Sequence, residues 1–202
     1  MNMWNRRQFV ARVSALAAVT LPFASRAREL PATPAQAEGP YYPVKMPAYV
    51  SNNLRVHGTA IAEGVPLILT GQVTDRKGAP LSHLTVEIWQ ADNRGIYRHP
   101  RAPQQGAEDP NFPGFGAAKT DESGRFTFET IVPVPYTGRP PHIHVKLKRG
   151  ADELLTTQLY VDGHAENEKG LLQSLFFRNS DKLMMRLADG ANGKQTRFDF
   201  VV

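Results

Sequence analysis

The sequence predicts an all-β domain, a sandwich or a barrel, on three observations. Short apolar or alternating segments recur along the chain, turn signals separate them, and Gly and Pro, sixteen of each, make up nearly a sixth of the 202 residues. Such spacing fits many short strands better than a helical bundle, whose interior excludes both residues. In chain order, residues 28–37 are rich in Pro and Ala, lack periodicity and are expected to run extended. Glu38-Gly39-Pro40-Tyr41-Tyr42-Pro43 follows as an aromatic loop. Strands are expected at Leu67–Thr74, Thr85–Gln90, Arg125–Thr130, His142–Lys148, Leu154–Val161 and Thr196–Val202. Between them lie the turn signals Arg76-Lys77-Gly78, Asp92-Asn93-Arg94-Gly95 and Asp121-Glu122-Ser123-Gly124. One helical patch is expected at Ala165–Phe177, where Leu171, Leu172, Leu175 and Phe176 have i, i+3, i+4 spacing and Gly170 opposes it.

Composition narrows the function classes. The length suits one domain, and no stretch reaches the ~20 apolar residues of a spanning helix. The absence of cysteine excludes disulfides, thiolate metal sites and a cysteine nucleophile, so any metal takes N and O ligands. The net charge of +5 suggests nucleic acid until it is located. Residues 1–27 carry Arg6, Arg7, Arg12 and Arg26 and no acid; setting those four aside leaves twenty basic residues against nineteen acidic, a net of +1. No nucleic-acid partner is expected. The segment itself, Asn5-Arg6-Arg7-Gln8-Phe9-Val10, then the mostly apolar Val13–Phe23, then Ser25-Arg26-Ala27, has the pattern of a twin-arginine secretion signal. The expectation is a signal at 1–27, a catalytic domain at 28–202, export in the folded state to the periplasm, and no stable membrane insertion once the signal is removed.

Chemistry concentrates in Tyr136-Thr137-Gly138-Arg139-Pro140-Pro141-His142-Ile143-His144. As a strand, 142–148 puts both imidazoles on one face ~7 Å apart at Cα, close enough to converge on one ion. The same pattern also describes a solvent-facing polar edge. Tyr136 sits in a loop bounded by Pro and Gly, and Tyr97 in Gly95-Ile96-Tyr97-Arg98-His99, just after the strand holding Val86, Ile88 and Trp89. Each tyrosine alone reads as a packing residue. Together with two histidines they form an N2O2 set whose two phenolates, with pKa values of about 10 to overcome, match the charge of Fe(III) better than zinc or ferrous iron.

The residues resemble the intradiol ring-cleavage dioxygenases. One matching stretch runs from Leu69-x-Gly71-x-Val73 through Gly78-x-x-Leu81 and Val86-Glu87-Ile88 to Gly95-x-Tyr97. The other is Tyr136-x-Gly138-Arg139-x-x-His142-Ile143-His144 followed by Thr157-Gln158-Leu159-Tyr160, and Glu38-Gly39-Pro40-Tyr41-Tyr42 adds a third match. The resemblance implies an antiparallel β-sandwich with at most one short helix. It implies Fe(III) held by Tyr97, Tyr136, His142 and His144, a catechol and O2 as substrates, and a cis,cis-muconate as product. It implies further that Tyr136 is the tyrosine that leaves when a catechol binds through both oxygens, that Arg139 stabilises charge on the substrate ring, and that Gln158 supports the pocket. A homo-oligomer is the family expectation. The chain has no room for the N-terminal helical domain of the catechol-type members, and Tyr136 and His142 stand only six positions apart. It therefore resembles a short, secreted relative of the protocatechuate 3,4-dioxygenases, with protocatechuate to 3-carboxymuconate as one candidate reaction beside other catechols.

Two rivals remain at this stage. One is a non-catalytic β-sandwich binding module. The other is a cupin-like enzyme using His142 and His144 with a carboxylate and a further histidine on Fe(II), Mn or Cu, against which Lys148 occupies the position four after His144. Trp89 reads as a core residue, His57, His83, His99 and His164 as ordinary histidines, and Tyr41 and Tyr42 either shape the pocket or pack the N-terminal loop.

Overall fold

The computed structural model describes residues 28–48, 50–103, 106–136, 138–168 and 179–202. Among these residues twelve strands form: β1 (Val56–His57), β2 (Ala60–Ile61), β3 (Pro66–Thr74), β4 (Thr85–Trp89), β5 (Phe115–Lys119), β6 (Arg125–Ile131), β7 (His142–Arg149), β8 (Asp152–Val161), β9 (Met184–Met185), β10 (Ala188–Gly190), β11 (Gly193–Arg197) and β12 (Phe200–Val201). β1 and β2 form a small hairpin. β3 centres one sheet, antiparallel to β6 on one side and parallel to β11 and then β12 on the other, with β10 outside β11. The second sheet has the order β5-β4-β7-β8-β9.

The alternation of side chains on each strand builds the core between these sheets. Leu67, Leu69 and Val73 of β3 with Phe126 and Phe128 of β6 meet Val86 and Ile88 of β4 and Ile143, Val145 and Leu147 of β7 in one buried cluster. The sandwich is as expected, and three pairings in it are parallel: β3 with β11, β3 with β12, and β8 with β9. The six expected strands form, Thr196–Val202 in altered shape, and β1, β2, β5, β9 and β10 lie outside them. Thr196–Val202 is broken after Arg197, because the Asp199 carboxylate, rather than a backbone carbonyl, accepts the Gln72 N–H at 2.9 Å. β5 was not expected, since Phe115-Gly116-Ala117-Ala118-Lys119 is poor in β-formers; its small residues make room for the crossing Ser51–Leu54 segment, whose Leu54 Cδ1 would lie 2.4 Å from a Cβ at Gly116. Within the expected helical patch, Ala165–Glu168 forms one 3-10 turn, and 169–178 lies outside the described residues, as does the expected signal at 1–27.

With Ile143, Val145 and Leu147 facing the core, period 2 turns His142, His144 and Lys146 to the opposite face of β7. That face is covered. Residues 30–42 cross it as a strap: the Gln36 N–H donates to Thr156 O at 2.9 Å, the Thr157 hydroxyl donates to Pro34 O at 2.7 Å, and the Tyr42 hydroxyl donates to Glu87 Oε2 at 2.8 Å. The Lys146 ammonium pairs with Glu38 of the strap, lies 3.0 Å from Glu153, and sits 4.0 Å from the Tyr42 ring centroid.

Candidate metal centre

Three pieces of chain aim side chains into one place beneath the strap. β7 supplies His142 and His144, 3% and 1% exposed, so the solvent-facing alternative for this strand edge is not what forms. Their Nε2 atoms face each other at 3.2 Å. The His142 Nδ1 lies 2.6 Å from Pro140 O, which assigns its proton to Nδ1 and leaves Nε2 with a free lone pair. The His144 ring stacks on Trp89 with centroids 4.8 Å apart and planes 6° apart. Trp89 therefore packs as expected, and also fixes an imidazole.

The loop after β4 supplies Tyr97. Asp92, 3% exposed, organises it: Oδ1 accepts from the N–H groups of Arg94 and Ile96 at 2.8 and 2.9 Å, and Oδ2 from Asp109 at 2.7 Å. Gly95, with φ +75°, lets this loop press on the next, since a Cβ there would lie 3.1 Å from Pro135 O and 3.3 Å from Tyr136 Cβ. Tyr136 and Arg139 are paired backbone to backbone across Gly138 (φ +70°), at 3.2 and 2.7 Å. The pairing places both side chains just ahead of His142. Ring centroids are 5.2 Å apart for Tyr97 and Tyr136, 5.5 Å for Tyr136 and His142, 4.7 Å for the two histidines and 6.2 Å for Tyr97 and His144. Beside them the Arg139 Nη2 donates to Gln158 Oε1 at 2.7 Å, while Gln158 Nε2 donates to Ala37 O at 2.8 Å. All six residues singled out from sequence are thus brought together.

The electrostatics describe a nest that wants a cation. Burial, with the Arg139 guanidinium beside it, pushes His142 down to about 3, and His144 is pushed well below the ordinary imidazole value by burial and by His142. Both rings are neutral donors. Burial raises Tyr97 well above an ordinary phenol, and Tyr136 is also raised by burial despite Arg139. The Tyr97 hydroxyl and the His144 Nδ1 are buried with no hydrogen-bond partner among the described residues. A trivalent cation reached by both phenols would reverse their upward shifts by ionising them, and two neutral nitrogens with two anionic oxygens suit a hard, high-charge metal. Among the described residues no group of three or more His, Cys, Asp and Glu is gathered, so the carboxylate set a cupin-like centre needs is not found there.

These shifts have a consequence for the metal-free protein. A buried imidazole that stays neutral to about pH 3 folded, but takes a proton near 6.5 unfolded, leaves stability intact above 6.5 and lowers it as pH falls from 6.5 toward 3. Each such ring removes about 1.4 kcal/mol per pH unit in that window. The urea midpoint of metal-free protein is expected to fall steeply between pH 6.5 and 5, and a flat profile there would contradict the neutral-imidazole assignment.

Other expectations resolve in detail. Tyr42 packs the strap, edge-on to Trp89 at 5.0 Å, whereas Tyr41 lies 4.5 Å from the Tyr97 ring and lines, with Ile96, Tyr97, Pro103, Pro135 and Tyr136, a cleft of about 440 Å³. The two alternatives for this tyrosine pair are therefore divided between them. His83 makes an exposed pair with Glu122 at 3.1 Å, and the His164 Nδ1 accepts the Glu166 N–H at 3.2 Å. Asp92, Gln36 and Tyr160 were not anticipated. Tyr160 had a legible signal, since it stands two after Gln158 on the same strand face.

Comparison with known proteins agrees with this geometry. The family model described as "Dioxygenase" matches residues 37–202. The chain is 38% identical over 116 residues to the protocatechuate 3,4-dioxygenase beta chain of Burkholderia cepacia, covering 52% of this chain and 49% of that one. It is 33% identical over 152 residues to the catechol 1,2-dioxygenase of Acinetobacter baylyi, covering 65% and 47%. The chain spans about half the length of the curated relatives it matches. Among solved structures, the dioxygenase domain of a dioxygenase and carbohydrate-binding fusion from Streptomyces sp. SirexAA-E aligns with a TM-score of 0.68 and 35% identity, over 85% of this chain and 98% of that one. The 3-chlorocatechol 1,2-dioxygenase of Rhodococcus opacus 1CP aligns with a TM-score of 0.64 and 28% identity, over 84% and 71%. With a family match across most of its length, the chain belongs to the intradiol ring-cleavage dioxygenases.

Proposed function

We propose that this chain is a non-haem Fe(III)-dependent dioxygenase that cleaves a catechol with O2, between its two hydroxyl-bearing carbons, to a cis,cis-muconate. The observation that carries it is the convergence of Tyr97, Tyr136, His142 and His144, from three chain segments, on one buried point beside a cation held by Gln158. These four residues would hold the iron. Bound there, ferric iron supplies the Lewis acidity that ionises a catechol and the electron demand that opens its ring to O2. The protein's own groups do the rest. His142 presents its Nε2 lone pair because Pro140 O holds its Nδ1 proton, and burial keeps both imidazoles neutral and able to bind a metal at any physiological pH. Tyr136, less buried than Tyr97, would, as the phenolate that bound ferric iron makes of it, take a catechol hydroxyl proton at its oxygen. The Arg139 guanidinium, fixed by Gln158, stabilises negative charge that develops on the ring. Burial beneath the strap excludes water from the reacting centre.

The two curated relatives named above carry protocatechuate and catechol in their names, so 3-carboxymuconate from protocatechuate is one specific form of the proposal. The test is a visible spectrum and iron assay of protein recovered from fractionated cells, before and after adding catechol or protocatechuate in air. A phenolate-to-Fe(III) charge-transfer band that shifts with a catechol, together with muconate formation, is expected, in the periplasmic fraction if residues 1–27 act as the export signal. Protein that stays colourless after ferrous loading and oxidation would overturn the ferric site in favour of a binding module. Recovery from the cytoplasm alone would overturn export.

A further inference from the structure

Arg139 is held by more than Gln158. The Tyr160 hydroxyl lies 2.6 Å from Gln36 Oε1 and 3.1 Å from Gln158 Oε1. A hydroxyl has one proton, and the shorter contact takes it, which turns the oxygen lone pairs back toward the site. There Tyr160 accepts a hydrogen bond from Arg139. The guanidinium is thus gripped by two oxygens, Gln158 Oε1 and the Tyr160 hydroxyl, whose separation is itself 3.1 Å. Each oxygen is anchored in turn on the strap: Tyr160 through Gln36, and Gln158 through Ala37 O at 2.8 Å. The two anchors are adjacent residues, and the Gln36 backbone N–H ties the same point of the strap to Thr156 O at 2.9 Å. Gly39, with φ +76°, then brings the strap over the metal centre, where a Cβ would lie 3.2 Å from His144 Cε1.

We propose that Gln36 and Tyr160 are positioning residues for Arg139, so that the strap, and not only the sandwich, sets the direction of the cation at the reacting ring. The inference rests on the ferric dioxygenase reading above. A planar guanidinium donates in fixed directions, so losing one of two convergent acceptors lets it rotate away from a useful orientation without leaving the site. Transition-state stabilisation is sensitive to such misplacement even when ground-state binding survives.

The test is a double-mutant cycle on the iron-loaded enzyme with catechol. Tyr160→Phe is expected to lower kcat about tenfold or more, with iron content, resting charge-transfer band and melting temperature close to wild type. Gln36→Leu is expected to lower kcat in the same direction by a smaller factor. In an Arg139→Ala background, Tyr160→Phe is expected to change kcat less than about twofold, because its effect passes through the missing cation. A readout independent of turnover is the Arg139 Nε–H resonance of metal-free, 15N-labelled protein, which is expected to broaden through solvent exchange in Tyr160→Phe. Full kcat in Tyr160→Phe, effects that multiply with Arg139→Ala, or an unchanged Arg139 resonance would overturn the proposal. Should Tyr160→Phe fail to fold, the Gln36→Leu cycle and its resonance decide in the same way. A wild-type protein without a ferric band or catechol turnover overturns the dioxygenase reading instead, and the resonance still decides whether Tyr160 orients Arg139.

Discussion

Tyr97→Phe is expected to abolish the ferric charge-transfer band contributed by this ring and to lower catechol cleavage by more than about a hundredfold, while leaving the metal-free protein as stable as wild type or slightly more so. The two effects have opposite signs for one physical reason. In the folded chain the Tyr97 hydroxyl is buried beside the Tyr136 phenol, without full hydrogen-bond geometry to any of the described residues, so without metal it is a desolvated polar group with little in return. Deleting such a group is neutral or favourable by about 1 kcal/mol. The ring stays behind and keeps its packing against Tyr41 and Tyr136. In the proposed ferric site the same oxygen would become one of two anionic donors, and among the described residues no carboxylate cluster stands nearby to replace it. Tyr42→Phe is the matched control. It removes a hydroxyl bonded to Glu87 at 2.8 Å and is expected to lower stability with little change in iron content or band. Measurement of urea midpoints without metal, and of spectrum and turnover with it, separates the two residues. A Tyr97→Phe protein that kept wild-type colour and rate would remove Tyr97 from the ligand set.

Much of this site could be read from sequence because its residues are close together or lie on regular elements. His142 and His144 share a face of β7 by the two-residue period, and Tyr136 and Arg139 fall within six positions of His142. The sandwich was legible for the same reason, since alternation on β3, β6 and β7 sets which residues face inward. What sequence did not disclose depends on long-range approach. The strap meets β7 and β8 from more than a hundred positions away, through Glu38 to Lys146 and Gln36 to Tyr160, and no local pattern marks either pair. Lys146 illustrates the difference. In sequence it extends a polar edge, but in the fold it is a buried ammonium neutralised by Glu38 and Glu153, and its side of the strand is interior rather than wet. The parallel pairing of β3 with β11 and β12 was hidden likewise, because period 2 fixes a strand's face and says nothing about its neighbour's direction.

Gly71→Ala is expected to be the most damaging small substitution in the scaffold, lowering stability by roughly 3 kcal/mol or more. Gly71 lies mid-strand in β3, paired with Phe126. A Cβ there would stand 2.0 Å from Phe198 O and 2.5 Å from Phe126 Cζ. The phenyl ring can rotate, but the carbonyl cannot retreat freely. Phe198 sits in the break between β11 and β12, its N–H donates to Thr70 O at 2.9 Å, and Asp199 beside it accepts the Gln72 N–H. Relief therefore requires the chain at 198–199 to move off β3, giving up ladder bonds on both sides of the break. Gly150→Ala makes a telling comparison, since its Cβ would meet nothing within 4 Å and the penalty reduces to the left-handed backbone at φ +61°. That strain is worth about 1–2 kcal/mol. Gly71 lies in the sheet opposite β7, so the folded fraction of Gly71→Ala is expected to keep the wild-type rate per bound iron even as its urea midpoint collapses. A loss of rate per iron as large as that of Tyr97→Phe would show that the two sheets do not divide scaffold from chemistry in this way.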